Sequence, residues 1–217
     1  MYTPTPFQET RPEVLRELMR RHPLAAVVTT TPDGLTANHV PLVFDPSSGM
    51  NGVLRGHVAR ANPVWRMVGG GSSVLAIFQG PDHYVSPSWY PAKAAHGQVV
   101  PTWNYAVVHA QGTIAWHEDA AWLRRFLETL TDRHEAHRVE PWQVTDAPPS
   151  YIDRMLTSIV GFEIAVSSLT GKWKLGQNRA TEDRAGIAAG LAAEGTGDSR
   201  RMIDLLDGPT GPSRSDY

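Results

Sequence analysis

The 217-residue chain contains no cysteine. This absence excludes disulfides, thiolate metal sites, iron–sulfur clusters and cysteine nucleophiles together. Redox chemistry in this protein must therefore come from a bound cofactor. The chain also lacks an excess of one charge, because 20 basic and 22 acidic residues leave a net charge of −2. Such a balance gives no electrostatic support for direct binding to nucleic acid or to an anionic membrane.

Other signals are missing as well. No apolar run is long enough to span a membrane and the amino terminus has no apolar signal core, so we expect a soluble, cytoplasmic protein. The nine histidines are scattered or, at His134 and His137, three apart, and no HExxH pattern is present. No metal site is therefore predicted. Gly-x-Ser-x-Gly and Gly-x-Gly-x-x-Gly motifs are also absent, so neither a nucleophile elbow nor a dinucleotide loop is indicated.

Strand signals dominate the first half of the chain. Apolar and β-branched runs lie at residues 24–30, 35–44, 53–58, 74–78, 83–85, 102–116 and 162–166, separated by turns such as Pro32-Asp33-Gly34. They predict about six or seven strands. Helices long enough for parallel crossovers are missing between most of them, which favours antiparallel pairing. The pattern predicts a mainly β (α+β) fold built around a small antiparallel barrel.

Helical patterns flank these strands. A Thr10–Glu13 capping box predicts a helix that ends before Pro23, and a short helix is indicated at 59–67. Further helices are predicted at 119–134, after Pro149 with Ile152, Met155, Leu156 and Ile159 buried, and at 181–194, followed by a last apolar turn. No long linker is visible, so residues 1–207 are predicted to form one domain with helical additions and 208–217 a disordered tail.

The most informative segment is YVSPSWYPAKAAHGQVVPTWNY at 84–105. A loop that only reverses the chain uses glycine, aspartate and asparagine, whereas this one contains Trp89, Tyr90, Trp103 and Tyr105. Flat rings beside fixed polar groups suit a pocket for a planar ligand. Aromatic residues also dominate ordinary cores, so both interpretations stay open from local chemistry.

Two further segments contain cations that could bind an anionic group. On a strand, Arg55 and His57 face one side, and the arginines and free amides at a helix start suit a phosphate or carboxylate. The alternative is solvated arginines beside a structural histidine. The segment KWKLGQNR at 172–179 could close over a cofactor phosphate, contact nucleic acid, or simply form a polar loop held by Trp173. Without a wider basic face, the nucleic-acid interpretation is weak.

Together these motifs resemble the PaiB family of FMN-binding negative transcriptional regulators. The matching segments are MYTP at 1–4, GHVARANP at 56–63, YVSPSWY at 84–90, VPTWNY at 100–105 and KLGQNR at 174–179. They occur in the family's order and cover the chain to about residue 180. Gly176 departs from the family pattern, where serine is expected, so the chain lacks the hydroxyl that serine would supply there.

The resemblance implies a split β-barrel of the pyridoxamine-phosphate-oxidase type with peripheral and C-terminal helices. It also implies a homodimer with FMN bound at the subunit interface. Arg60, supported by Lys174 and Arg179, is expected to bind the anionic end of the cofactor. The full set of expected cofactor-binding residues is Arg55, His57, Arg60, Asn62, Ser86, Ser88, Trp89, Thr102, Trp103, Asn104, Lys174, Gln177, Asn178 and Arg179.

Two functional classes remain open. One is an FMN-binding regulator or sensor, although no helix-turn-helix is evident and any direct DNA contact would need a local basic patch or a partner. The other is an enzyme, since some relatives on this scaffold resemble haem proteins, including haem-dependent enzymes that form the nitrogen–nitrogen bond of piperazate. In that case haem b replaces FMN and His57 is the expected axial ligand.

Overall fold

The computed structural model describes residues 1–207, so the predicted tail at 208–217 lies outside the described residues. Over this range the chain forms eight strands and seven α-helices. The strands are β1 Gln8–Glu9, β2 Leu24–Thr31, β3 Gly34–Pro41, β4 Val43–Asp45, β5 Val53–Ala59, β6 Ser73–Val85, β7 Thr102–His117 and β8 Ile159–Lys174. The helices are α1 Pro12–Arg21, α2 Val64–Met67, α3 Pro91–His96, α4 Ala120–Glu135, α5 Pro149–Leu156, α6 Thr181–Glu194 and α7 Gly197–Asp207.

The strands form one sheet in the order β3-β2-β6-β7-β8-β5-β4, and β1 pairs with β8. Every pair with a recorded register is antiparallel. The predicted antiparallel split-barrel class with added helices is confirmed. Helices and strands account for similar numbers of residues, so α+β is the more fitting part of the predicted class.

The first hairpin follows the sequence closely. β2 and β3 pair from Leu24↔Pro41 to Thr31↔Gly34, and Gly34 adopts φ +112°, which a residue with a side chain rarely tolerates. The run predicted as one strand at 35–44 is divided at Leu42, which lies between the two observed strands and donates its N–H to Pro23 O at 2.9 Å. The two halves are β3 and β4.

Other strands are longer than predicted. The runs at 74–78 and 83–85 form the single strand β6, which continues through Gly80 and Pro81. The recorded β2–β6 pairing ends at Ile77, so the missing N–H of Pro81 removes no bond to β2. Gly80 brings helix α1 close, because a Cβ there would lie 2.8 Å from Leu18 Cδ1.

Several helix ends differ from the sequence-based prediction. The Thr10–Glu13 capping box does not form, because α1 begins at Pro12 after Arg11 and has no side-chain cap. Proline is well suited to this first position, since its missing N–H would have no partner there. The helix predicted at 59–67 is shorter in the structure, where α2 covers only Val64–Met67. In α5, Met155 is exposed, so its predicted burial is wrong. Ile159 belongs to β8 rather than to the helix, but it is partly buried against the cluster that contains Ile152 and Leu156.

The described residues belong to two compact units. The first unit is Met1–His22, Phe78–His109 and Thr170–Tyr217, of which the residues up to Asp207 are described; the second is Pro23–Ile77 and Ala110–Leu169. The first has a core that includes Leu18, Phe78, Val108, Leu175 and Ile187. The second has a core that includes Val27, Leu54, Leu123, Phe162 and Ile164. Among the described residues, no helix combines the length and apolar character needed to cross a membrane.

Candidate functional site

The most distinctive group of side chains in the first unit is a cationic cluster, Lys172, Lys174 and Arg179. Lys172 and Lys174 alternate with buried Trp173 on β8 and therefore share one face of the strand. Lys174 Nζ donates to Thr102 Oγ1 and, at 2.7 Å, to Trp103 O. Lys172 Nζ donates to Tyr2 O at 3.2 Å. Within residues 1–207, no carboxylate forms an ion pair with any of the three cations.

The cationic cluster is also partly withdrawn from water. Burial lowers the pKa of Lys174, and the neighbouring charges of Lys172 and Arg179 lower it further. Both causes disfavour the protonated amine, so the fold holds this positive charge at a cost. An anion at the cluster would remove that cost and would accept charge-assisted hydrogen bonds.

The turn after β8 orients Arg179. Gln177 Oε1 accepts from Leu175 N at 2.7 Å and its Nε2 donates to Trp173 O at 2.6 Å, so the Gln177 amide is used within the turn. Gly176 has φ +81°, a conformation that favours glycine and would strain the serine expected in the PaiB pattern. The Arg179 guanidinium lies 5.0 Å from the centroid of the Tyr90 ring, while Asn178 is exposed.

Buried polar groups without partners lie in the same unit. Asn104 is 1% exposed, and neither its Nδ2 nor its Oδ1 has a hydrogen-bond partner among the described residues. On β7 it shares a face with Thr102, the residue that accepts from Lys174. The Tyr90 hydroxyl is likewise buried and unpartnered within residues 1–207, and burial raises its pKa. Such groups are expensive to leave unsatisfied.

Two exposed aromatic rings complete this region. Trp103 is 55% exposed and Tyr84 is 44% exposed. Their rings meet edge to face, with centroids 6.0 Å apart at 72°. Large apolar rings that remain in water are suited to cover the flat face of a ligand or a partner surface.

Three of the expected residues lie in the turn at 86–89. The two serines are used in local hydrogen bonds, and the tryptophan packs against helix α6. Ser86 Oγ accepts from Ser88 N at 3.2 Å, and Ser88 Oγ accepts from Lys93 Nζ at 3.3 Å. Trp89 packs directly on α6, where a Cβ at Gly190 would lie 2.2 Å from its Cδ2. In the described chain this turn positions α6.

In the second unit, Arg55 is neutralised by two acids. Its NH1 donates to Asp45 Oδ2 at 2.8 Å and its Nε donates to Glu163 Oε1 at 2.6 Å. Glu163 Oε2 also contacts His117 Nε2 at 3.2 Å. Hydrogen bonds from Ser47 and then from Ser48 and Arg55 lower the pKa of Asp45, so this carboxylate is charged at neutral pH.

Arg60 and Asn62 are also engaged. Arg60 NH1 pairs with Glu118 at 2.5 Å, and its other nitrogens donate to Thr157 O and Ile159 O at 2.8 and 3.1 Å. Asn62 Nδ2 donates to Asn38 Oδ1 at 2.7 Å, and its Oδ1 accepts from Val64 N at 3.0 Å. Both side chains tie the end of β5 to neighbouring elements. The phosphate-binding role of Arg60 stays a prediction.

His57 is the expected residue whose surroundings are most apolar. Its ring meets Phe126 edge to face at 5.8 Å, and its Nδ1 is buried with no partner among the described residues. On the paired strand β8 its neighbour is Gly161, where a Cβ would collide with Trp122 at 2.2 Å. Burial lowers the pKa of His57, which keeps the imidazole neutral.

The neutral state of His57 predicts a pH dependence of stability. Because its folded pKa lies below the unfolded value of 6.5, the unfolded chain binds more protons, and the free energy of unfolding falls as the pH drops below that value. Urea unfolding at about pH 7.5 and about pH 5.5 should show a smaller loss in His57→Phe than in the parent. The exposed His39→Gln should keep the parental loss, and an identical loss in His57→Phe would contradict the prediction.

The structure therefore divides the expected residues between its two units. Arg55, His57, Arg60 and Asn62 lie in the second unit, and Ser86, Ser88, Trp89, Thr102, Trp103, Asn104, Lys174, Gln177, Asn178 and Arg179 lie in the first. Within the first unit, Lys174 donates directly to Thr102 Oγ1 and to Trp103 O. The expected set omitted Lys172 and Tyr90. The alternation of Lys172 with Trp173 on a strand was the signal for Lys172, and the sequence held none for the contact between Tyr90 and Arg179.

Comparison with known proteins agrees with this architecture. Residues 1–168 match a family described as "Putative FMN-binding domain". A Bacillus subtilis protein named Protease synthase and sporulation protein PAI 2 is 32% identical over 207 residues, covering 95% of this chain and 97% of that protein. An uncharacterised protein of Emericella nidulans is 35% identical over 241 residues, covering 95% and 96% respectively.

Two solved structures share the fold. The FAD and haem binding protein of Mycobacterium smegmatis has a TM-score of 0.55 and 20% identity, covering 82% of this chain and 78% of that one. The flavocytochrome Anf3 of Azotobacter vinelandii has a TM-score of 0.56 and 14% identity, covering 82% and 75%. At these identities the likeness supports the fold alone.

Proposed function

This chain belongs to the FMN-binding-domain family that includes the PaiB proteins, and from that premise we propose that it binds FMN. The observation that carries the proposal is the cationic cluster of the first unit. Its three cations have no carboxylate partner among residues 1–207, and Lys174 is partly desolvated. A phosphate monoester is a dianion of the size and charge that such a cluster can bind.

Other side chains of the first unit would hold the rest of the cofactor. The Asn104 side chain has an NH2 group with two donors and a carbonyl oxygen acceptor, which suit the polar edge of the flavin ring. The exposed Trp103 ring offers an apolar face. Lys174 and Arg179 would bind the phosphate. FMN, when bound, supplies the electron-transfer chemistry that a chain without cysteine lacks.

We place this binding in a regulatory or sensory protein of the PaiB type. The Bacillus subtilis relative is named for protease synthesis and sporulation, which supports a regulatory role in the family. The net charge of −2 gives no electrostatic support for direct DNA binding, so the regulatory output would pass through a partner or a local basic patch.

An absorption spectrum tests the cofactor directly. Purified protein, or protein reconstituted with FMN, should show the two-banded flavin spectrum and bind FMN with saturable quenching of its fluorescence. Protein that takes up no FMN at any concentration would overturn the proposal.

The second candidate is a haem-dependent enzyme, favoured by one observation in the second unit. His57 is neutral, bordered by the Phe126 ring, and leaves Nδ1 without a partner among the described residues. Neutral imidazole is a common axial ligand of haem iron. Titrating haem and FMN separately into the parent and His57→Ala distinguishes the candidates. A Soret band that His57→Ala loses supports haem, whereas FMN binding weakened by about 1–3 kcal/mol at most supports a flavoprotein.

We also propose that the protein is an obligate homodimer. Trp103 and Tyr84 expose their rings, and Asn104 and Tyr90 bury polar groups that residues 1–207 do not satisfy. A partner subunit would cover the rings and help to satisfy these groups, in an interface of more than about 2,000 Å². Sedimentation should give about twice the 23.8 kDa chain mass at micromolar concentration. A stable, folded monomer would contradict this proposal.

A further inference from the structure

The sequence motif MYTP at residues 1–4 lies against the cationic cluster. Tyr2 O accepts from Lys172 Nζ at 3.2 Å, and the centroid of the Tyr2 ring lies 5.9 Å from the same nitrogen. The Tyr2 side chain is nevertheless 84% exposed, so burial of its apolar surface does not hold it there. Two different groups of one residue therefore contact a single ammonium group.

The chain that follows Tyr2 is anchored to the strand that carries the two lysines. β1 pairs with β8, and Gln8 lies directly opposite Lys172. Between Tyr2 and this pairing, Pro4 and Pro6 restrict the backbone, because each proline ring fixes one dihedral angle. A short, stiff connection therefore keeps the motif beside Lys172.

Tyr105 of β7 supplies a second ring to the same amine, with its centroid 5.3 Å from Lys172 Nζ. The electron-rich faces of such rings attract a cation without carrying a charge themselves. Within residues 1–207, no carboxylate forms an ion pair with Lys172. The two rings and the Tyr2 carbonyl oxygen therefore fix a long, flexible side chain in place and leave its charge unneutralised.

The Lys172 ammonium keeps the capacity to bind an anion. It has three N–H donors, and the bond to Tyr2 O uses one of them. A lysine side chain that is fixed before an anion arrives also loses less conformational entropy on binding. Lys172 lies close enough to Lys174 for its charge to help lower the pKa of Lys174, so both amines act on the same region.

We propose that Tyr2 is a positioning residue of the cofactor site and acts through Lys172. Its ring and its carbonyl oxygen hold the Lys172 ammonium at the cationic cluster, where this ammonium binds the cofactor phosphate together with Lys174 and Arg179. The inference rests on the proposed binding of FMN. It gives the motif at residues 1–4 a function in ligand binding.

Tyr2→Leu and Tyr2→Phe separate the ring from the rest of the residue. Leucine keeps the carbonyl and the apolar bulk but has no electron-rich face, whereas phenylalanine loses only the hydroxyl. In a titration followed by quenching of FMN fluorescence, Tyr2→Leu should bind about three- to fivefold more weakly than the parent, and Tyr2→Phe within about twofold of it. Tyr151→Leu is the matched control and should keep the parental affinity. Tyr151 is also an exposed tyrosine that contacts a cation, Arg154 at 5.8 Å, but it lies in the second unit.

Lys172→Met tests whether Tyr2 acts through the lysine. Alone, this substitution should weaken FMN binding by about tenfold. Adding Tyr2→Leu to Lys172→Met should then change the affinity by less than about twofold, because the group that Tyr2 holds is already absent. A Tyr2→Leu effect of the same size in both backgrounds would overturn the assigned route through Lys172.

Acylation of the lysines gives a measurement that needs no cofactor. In the full chain without FMN, an acetylating N-hydroxysuccinimide ester should modify Lys172 about threefold faster in Tyr2→Leu than in the parent, because the amine must leave its contacts to react. The exposed Lys93 should react at the same rate in both proteins and serves as the internal control. Mass spectrometry of the peptides measures both rates, and equal rates for Lys172 would show that the Tyr2 ring does not hold the amine.

The outcomes separate this inference from the proposed function. If the parent binds FMN and Tyr2→Leu binds it equally well, the role of Tyr2 is overturned and FMN binding stands. A lowered melting temperature in that variant would then mean that Tyr2 only ties the chain to β8. A parent that takes up no FMN would overturn both proposals.

Discussion

Lys174→Met should weaken FMN binding by about 1.5–3 kcal/mol, or roughly 10- to 150-fold in Kd. The amine is held by Thr102 Oγ1 and Trp103 O, and it has no carboxylate partner within residues 1–207. Methionine keeps most of the apolar stem and removes the charge. Titration of FMN, followed by quenching of its fluorescence, measures the change.

Lys93→Met is the matched control for Lys174→Met. Lys93 is an exposed lysine of the same unit, and its amine donates to Ser88 Oγ at 3.3 Å. It should leave FMN affinity within about twofold of the parent. An equally small effect of Lys174→Met would show that the cationic cluster does not bind the phosphate.

Arg60→Ala tests the sequence-based assignment against the structural one. The Arg60 guanidinium bonds to Glu118, Thr157 O and Ile159 O, so its removal should lower the melting temperature. A loss of FMN affinity in folded Arg60→Ala that exceeds the loss in Lys174→Met would favour Arg60 as the principal phosphate ligand.

Gly112→Ala should lower the free energy of unfolding by about 3 kcal/mol or more. A Cβ at this position on β7 would lie 2.3 Å from Ala165 O and 2.7 Å from Ile164 Cγ2 of β8. The first contact is with backbone, which cannot rotate away as a side chain can. Urea unfolding measures the change in the midpoint at constant slope.

Gly69→Ala provides the comparison for Gly112→Ala. A Cβ at Gly69 would have no heavy atom within 4 Å, and its backbone does not require glycine. The substitution should change stability by no more than about 1 kcal/mol, and it could raise stability by restricting the unfolded chain. Equal midpoints for the two alanine variants would mean that β7 and β8 separate at Gly112 at little cost.

The sequence by itself determined the elements whose signals are local. The strand run at 24–30, the turn at Pro32–Gly34 and the helix at 119–134 depend on residues a few positions apart, and each formed close to its predicted place. The motifs also identified the family, because residue types at fixed spacing reflect shared backbone and ligand chemistry. The absence of cysteine fixed the need for a cofactor in any redox chemistry.

Only the tertiary structure decided which charges are available to a ligand. In the sequence, Arg55, Arg60 and Lys174 are equivalent as cations beside strand ends. Folding brings Glu163 to Arg55 and Glu118 to Arg60 across more than fifty residues of chain, whereas no carboxylate within residues 1–207 pairs with Lys174. Which cation lacks a carboxylate partner depends on long-range packing, and local patterns carry no information about it. The same reason applies to the cavity of about 200 Å³ in the first unit, which residues of α1, β6, β8 and α7 line together.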